Sequence, residues 1–198
     1  MSTEEKIKEA AKKIFIKRGY AGARMNDIAD ELGMNKALLH YYYRSKEKLF
    51  EVIFFEVFDM LLPKLKATVT TDLPLRKKIE LFVNTYVDAI ASNPYVPMFI
   101  LHELSQDPDR FVEKLKRRNS FPEIGQFILQ VIQEMEEKNI QQYHPFHFFM
   151  NMISMCAFPF VARPMLQAVS GIGDEHWNEI MAIRKEEVTR FILNAIRI

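Results

Sequence analysis

The chain has 198 residues, 48% hydrophobic and 27% charged, with a formal net charge of +1, a balance that excludes intrinsic disorder and leaves ample material for a core. Six glycines and nine prolines are too few for the many turns of an all-β protein. Residues 1–50 carry 11 lysines and arginines against 7 acids, a net +4, while the remainder nets −3, so attraction for a polyanion is expected at one end only.

The opening MSTEEKIKEAAKK is charged throughout and excludes a signal peptide there. Ile7, Ala10, Ala11, Ile14 and Phe15 recur at three- and four-residue spacing and predict an amphipathic helix ended by Gly19. Ile28, Ala29 and Leu32 predict a short second helix stopped by Gly33, and a third is expected from about Lys36 to Tyr43. Ser45 is placed to cap a fourth, with Glu47 in its first turn and the stripe Leu49, Val52, Ile53, Val57 and Leu61 facing inward. Downstream helix starts are marked by proline, at Asn93–Pro94 and Asp107–Pro108, with Pro74 and Pro122 in similar parts. The most apolar window, residues 146 to 162, is shorter than the roughly 20 residues of a membrane helix. His147, Asn151 and Pro159 interrupt it, so it reads as part of a buried helix over 145 to about 168. The last helix is expected to begin at Asp174, after SGIG, and to continue to the C-terminus. The chain thus reads as all-α, with about nine helices. Residues 1–48 form a helix-turn-helix unit and residues 49–198 a second helical domain.

A short helix ending at Gly33, followed two or three residues later by another, is the layout of a helix-turn-helix. Ala29 is small where the helices cross, Gly33 admits the positive φ of the turn, and Met34 and Leu39 face inward. In such a unit the second helix enters the DNA major groove. Its candidates for base contact are Lys36, Ala37 and Leu38, then His40 and Tyr41 one turn later. Lys36 has the reach for guanine O6 and N7, and Ala37 or Leu38 suits a thymine methyl. Tyr42, Arg44, Lys46 and Lys48 lie where the helix leaves the groove, which suits phosphate. Tyr43 is expected to anchor the helix inward.

Residues 23 to 50, ARMNDIADELGMNKALLHYYYRSKEKLF, together with Arg18, Gly19 and Tyr20, resemble the DNA-binding signature of the TetR family of transcriptional repressors. The matching positions include Gly19–Tyr20, Asp27–Ile28–Ala29, Gly33, Leu39, the aromatic pair Tyr42–Tyr43, and Ser45–Lys46–Glu47 with Leu49. The resemblance places Lys36, Ala37 and His40 at base-facing positions and Tyr42 and Lys46 at phosphate. The sequence departs from the family pattern in three places. His40 stands where the family usually has tyrosine. Ala23 and Arg24 stand where it has serine or threonine, so Arg24 becomes a phosphate candidate and the cap falls to Asn26. Asn35, also a phosphate candidate, replaces a serine cap.

The rest of the chain is read from residue chemistry. One seven-residue helix rises only about 10 Å and reads few base pairs, so two copies are needed. Phe146, Met150 and Ile153 on the helix from residue 145, with Trp177, Met181, Val188 and Phe191 on the last, are expected at a two-fold interface; a core helix in a larger monomer is the alternative. The resemblance also implies dimerisation through the last helices and an effector pocket in the second domain. Candidate lining residues are Phe58, Phe82, Tyr86, Phe99, His102, Glu103, Phe127, Phe148, Asn151 and Met152, although each suits ordinary core equally well.

Catalytic and metal chemistry find little support. No histidine follows a glutamate by three residues, and no phosphate loop or serine elbow occurs. His144 and His147 have no cysteine or carboxylate nearby in sequence. No catalytic residue, metal or cofactor is expected. Lone Cys156 reads as a small core residue, and with no disulfide partner in the chain a cytoplasmic location is expected. The expected function is a homodimeric, ligand-responsive DNA-binding regulator acting as a repressor on a pseudo-palindromic operator, with a small, largely apolar effector and no membrane partner. A helical module that binds protein instead of DNA is the alternative.

Overall fold

A computed structural model describes residues 2–118 and 124–196, so the helix start expected at Pro122 lies outside the described residues. Eleven helices and no strand occur among the described residues: α1 (Thr3–Gly22), α2 (Met25–Leu32), α3 (Lys36–Tyr42), α4 (Lys46–Thr70), α5 (Leu75–Ser92), α6 (Val96–Gln106), α7 (Pro108–Arg117), α8 (Gly125–Glu136), α9 (Pro145–Ser170), α10 (Asp174–Ala182) and α11 (Arg184–Ala195).

Local chemistry explains most boundaries. Ser2 and Glu5 form a reciprocal capping box, the Glu5 carboxylate accepting the Ser2 N–H at 2.6 Å and the Ser2 hydroxyl accepting the Glu5 N–H at 3.2 Å. At the other end of α1, Gly19 takes φ 66° and ψ 171°, breaking the helix before a final turn. Asp107 caps α7 by accepting the Arg110 N–H at 3.0 Å, ahead of Pro108. By contrast, Asn93–Pro94 is not the start of α6. Pro94 lies in a turn, and the helix begins at Val96 with Pro97 in its first turn.

The chain divides into two compact units, one of residues 1–60 with 93–120, the other of 61–92 with 121–198. In the first, α2 and α3 pack with α1 over Ile7, Ala11, Ile28 and Leu39, all buried. The first half of α4 adds Leu49, Phe50, Ile53, Phe54 and Val57. Val52, expected on that inward stripe, is exposed instead. Phe50 and Phe54 occupy the interior because they reach Phe99, at ring distances of 4.6 and 4.4 Å.

In the second unit α9 runs for 26 residues, with Phe148, Phe149, Met152 and Cys156 turned toward Phe82, Val83, Phe127, Val131 and Ile192. It is the helix long and apolar enough to cross a membrane among the described residues, yet its buried side chains belong to this core. Burial pushes the Cys156 thiol up to about 12, which keeps it protonated and unreactive.

Pro159 lies inside α9 and has no N–H to give the carbonyl four residues earlier, that of Met155. Arg184 supplies the missing donor: its Nη2 reaches the Met155 oxygen at 2.6 Å. This contact accompanies a break in the terminal helix expected to be continuous, because α10 ends before Ile183 and α11 starts at Arg184. Arg184→Ala should therefore strand a part-buried carbonyl and destabilise by about 1–3 kcal/mol. The loss should shrink when Pro159→Ala restores an N–H in the helix. Urea unfolding followed by Trp177 fluorescence across this double-mutant cycle is the check; additive losses would refute the pairing.

Candidate nucleic-acid interface

The surface is built on α3. Gly33 adopts φ 61°, ψ 29°, and closes α2 with its N–H to Asp30 O (3.1 Å) and the Met34 N–H to Ala29 O (2.9 Å). The start of α2 is secured by the Asp27 carboxylate, which accepts the Arg24 N–H at 2.9 Å; Asn26 is not the cap. Asn35 then caps α3, its Oδ1 accepting the Ala37 N–H at 2.8 Å. Leu39 has no exposed surface and pins the helix from within.

With Leu39 inward, Lys36, Ala37, Leu38 and Tyr41 point outward, Leu38 at 45% and Tyr41 at 82% exposure. The three tyrosines separate. Tyr41 is free at the surface, Tyr42 packs partly on the core with its ring edge-on to Tyr41 at 5.7 Å, and Tyr43 is half-buried. Burial raises the Tyr43 phenol, Glu4 raising it further and Lys8 opposing, which places its ring beside the first turns of α1.

His40 is half-buried, and its Nδ1 lies 3.3 Å from the Arg44 carbonyl oxygen. A carbonyl only accepts, so this bond favours the tautomer with hydrogen on Nδ1 and leaves Nε2 an acceptor.

The cations differ in freedom. Arg24, Lys36 and Arg44 are exposed and form no ion pair among the described residues. Lys48 pairs with Glu51 at 2.9 Å. Lys46, expected to be a simple surface contact, is tethered: its Nζ donates to the Tyr20 carbonyl at 2.8 Å and lies 4.3 Å from the centroid of the Tyr20 ring. No sequence spacing announces that link, because 26 residues separate the partners.

Residues expected around an effector fall into two sets. Phe58, Phe99, His102 and Glu103 belong to the first unit, where Phe58 stacks on Phe54 at 5.1 Å and Glu103 pairs with Lys114 at 3.3 Å. Phe82, Tyr86, Phe127, Phe148, Asn151 and Met152 belong to the second. There Phe82 stacks on Tyr86 at 5.6 Å and Phe127 on Phe148 at 6.3 Å, while Phe127 and Met152 are wholly buried. Burial holds the Tyr86 phenol up at about 12. Asn151 is exposed and takes no part in this interior.

Of the residues expected at a two-fold interface, Phe146, Met150 and Phe191 are exposed, and Ile153 and Met181 are half-buried. Trp177 and Val188 are not available to a partner. Val188 turns into its own core with Ile192, since the break at Ile183 resets the face of the last helix. Trp177 is buried, with the Arg163 guanidinium 5.8 Å from its ring centroid. Phe158, Met165 and Val169 extend the exposed apolar face of α9 instead.

The family model for bacterial regulatory proteins of the tetR family matches residues 7–53, which span α1 to the start of α4. Residues 7–53 are thus similar to the DNA-binding region of the tetR family. Among curated relatives, the HTH-type transcriptional activator FasR of Mycolicibacterium smegmatis is 30% identical over 81 residues, 41% of this chain and 37% of that one. The transcriptional repressor NicS of Pseudomonas putida is 42% identical over 48 residues, 24% of this chain and 23% of that one. The chain thus matches well under half the length of these relatives. A likeness of fold to solved structures, however, extends throughout. A TetR/AcrR regulator from Thermobifida fusca superimposes with TM-score 0.63 at 19% identity, covering 98% of each chain. The ketosteroid transcriptional regulator KstR2 of Mycobacterium tuberculosis gives 0.71 at 15% identity, covering all of this chain and 96% of that one.

Proposed function

We propose that this protein is a cytoplasmic, homodimeric transcriptional regulator that acts as a repressor. It places α3 of each protomer in successive major grooves of a pseudo-palindromic operator. The observation that carries this reading is the outward row of α3, where Lys36, Ala37, Leu38 and Tyr41 are exposed over a wholly buried Leu39. Unpaired Arg24 and Arg44 flank that row and suit phosphate, with Asn35, Tyr42 and Lys46 completing the grip. His40, presenting Nε2 as an acceptor, suits an exocyclic amine of cytosine or adenine.

The division of labour falls at residues 48 and 49. Residues 1–48 read DNA, and residues 49–198 dimerise and take a small, largely apolar effector that releases the operator. Release requires the effector to prefer one arrangement of the dimer, and a hundredfold change in occupancy needs about 2.7 kcal/mol of preference. The dimer uses the exposed face of α9 and Phe191 of α11, both apolar and uncovered in the single chain.

Sequence enrichment from a fragmented genome tests the reading. Lys36→Ala should relax base preference within the enriched site. Lys46→Ala should weaken all DNA alike and flatten the salt slope by about one unit. Because Lys46 also holds Tyr20, its variant must first be shown to unfold at the parent temperature. A library with no enriched sequence would favour the protein-binding alternative.

A further inference from the structure

A concave space in the first unit takes no part in the contacts proposed above. It lies between the C-terminal end of α1 and the first half of α6, with a volume of about 310 Å³, the lower range for small-molecule sites. Ile16 and Met98 both line it and are 52% and 47% exposed, apolar side chains left uncovered in a hollow. Tyr20 and His102 form one wall, their ring centroids 4.9 Å apart and tilted by 45°. Gly19, at φ 66°, leaves the mouth free of a side chain.

Behind the lining, Asp27 pairs with Arg18, and Glu47 and Glu103 act on the Tyr20 phenol. Arg18 lines the space and no acidic residue does. The Arg18 guanidinium binds Asp27 through Nη1 at 2.6 Å, which leaves its other N–H groups to reach a second anion. An apolar hollow walled by two rings, with a guanidinium at the rim, matches a molecule with an aromatic or branched body and one carboxylate.

We propose that the α1–α6 cleft binds a small carboxylic acid of this kind and that its occupancy bears on the DNA-reading helix through Tyr20. The route is short. The Tyr20 hydroxyl donates to Glu47 at 3.2 Å, its carbonyl accepts from Lys46, and its ring lies edge-on to Phe50 at 4.9 Å. All three partners stand in the first turns of α4, immediately after α3. An acid packed on Tyr20 and His102 therefore favours one placement of α6 against the helix-turn-helix. The regulatory half rests on the DNA-binding reading; occupancy of the cleft does not.

The probe is 3-phenylpropionate, with its amide as the uncharged counterpart, added to the full chain carrying ¹³C-methyl methionine. The Met98 methyl, assigned through Met98→Leu, should shift saturably while that of buried Met152 stays in place. Met98→Trp, which fills the cleft, and Ile16→Glu, which sets a carboxylate in it, should each weaken binding at least tenfold. Both positions are half exposed, so folding is retained, and thermal unfolding checks this. The amide should bind at least tenfold more weakly than the acid. An unmoved Met98 methyl at about 5 mM acid, the weak end of ligand affinity, overturns the site. So does unchanged affinity in both variants, and equal binding of the amide overturns the anionic end. Lys36→Ala should keep full acid binding, so a failure of the DNA reading would leave the cleft intact. Acid that binds without changing operator affinity in the parent overturns the regulatory half alone.

Discussion

Phe50→Ala is expected to destabilise the first unit by about 3–5 kcal/mol, the range for emptying a phenylalanine site that cannot collapse. Phe50 has no exposed surface. Its ring meets Phe15 of α1 at 4.5 Å, Tyr20 at 4.9 Å, Phe99 of α6 at 4.6 Å and Tyr95 at 5.8 Å. Four rings from two stretches of chain converge on one side chain, and edge-on contacts add to simple burial. None of those neighbours can fill the gap without leaving its other partners. Urea unfolding followed by helical circular dichroism should show a lower midpoint, whereas Leu101→Ala, at an exposed site of α6, should change stability by less than about 0.5 kcal/mol. A Phe50→Ala loss below about 1 kcal/mol would mean that the ring cluster relaxes freely, against the packing described here.

Phe158→Glu is expected to convert the proposed dimer to monomer. Phe158 is 53% exposed on α9, on the apolar face shared with Phe146, Met150, Met165 and Val169. A two-fold interface is self-complementary, so the carboxylate enters twice, and each copy is buried without a partner charge. Sedimentation should show the change directly. Affinity for the enriched operator should fall at least a hundredfold, because the second half-site is no longer tethered to the first. Leu129→Glu, at an exposed apolar position on α8 outside the proposed interface, should change neither. A dimer that persists with Phe158→Glu would sink the assignment of this face.

The helix-turn-helix was legible because its constraints are local. A glycine at φ 61°, a buried Leu39 and caps from Asn35 and Ser45 all act within four residues, so the one-dimensional pattern carries them. What the sequence concealed depends on distant partners. Lys46 finds Tyr20 26 residues away, and Arg184 finds the Met155 carbonyl 29 residues away. The break at Ile183 involves neither glycine nor proline, so a continuous stripe through Val188 was the natural reading, and Val188 instead faces the core. Val52 failed similarly, because periodicity placed it on the inward stripe and left Phe50 off, and only the rings of α1 and α6 decide between them. The aromatic and methionine residues of the middle helices are recognisable as apolar from sequence. Which of them meet is set by the two units, and composition holds no record of that division.

The tether between Lys46 and Tyr20 bears on the thermodynamics of association. A long ammonium side chain usually loses about 0.5–1.5 kcal/mol of rotamer freedom when it is immobilised at an interface. Here the Lys46 chain is already held across an aromatic ring with one N–H bonded, so that loss is incurred during folding rather than at docking. In the proposed complex it meets a phosphate with its remaining N–H groups from a fixed starting geometry. Tyr20, which makes none of the proposed DNA contacts, then governs how much disorder the protein surrenders when it binds.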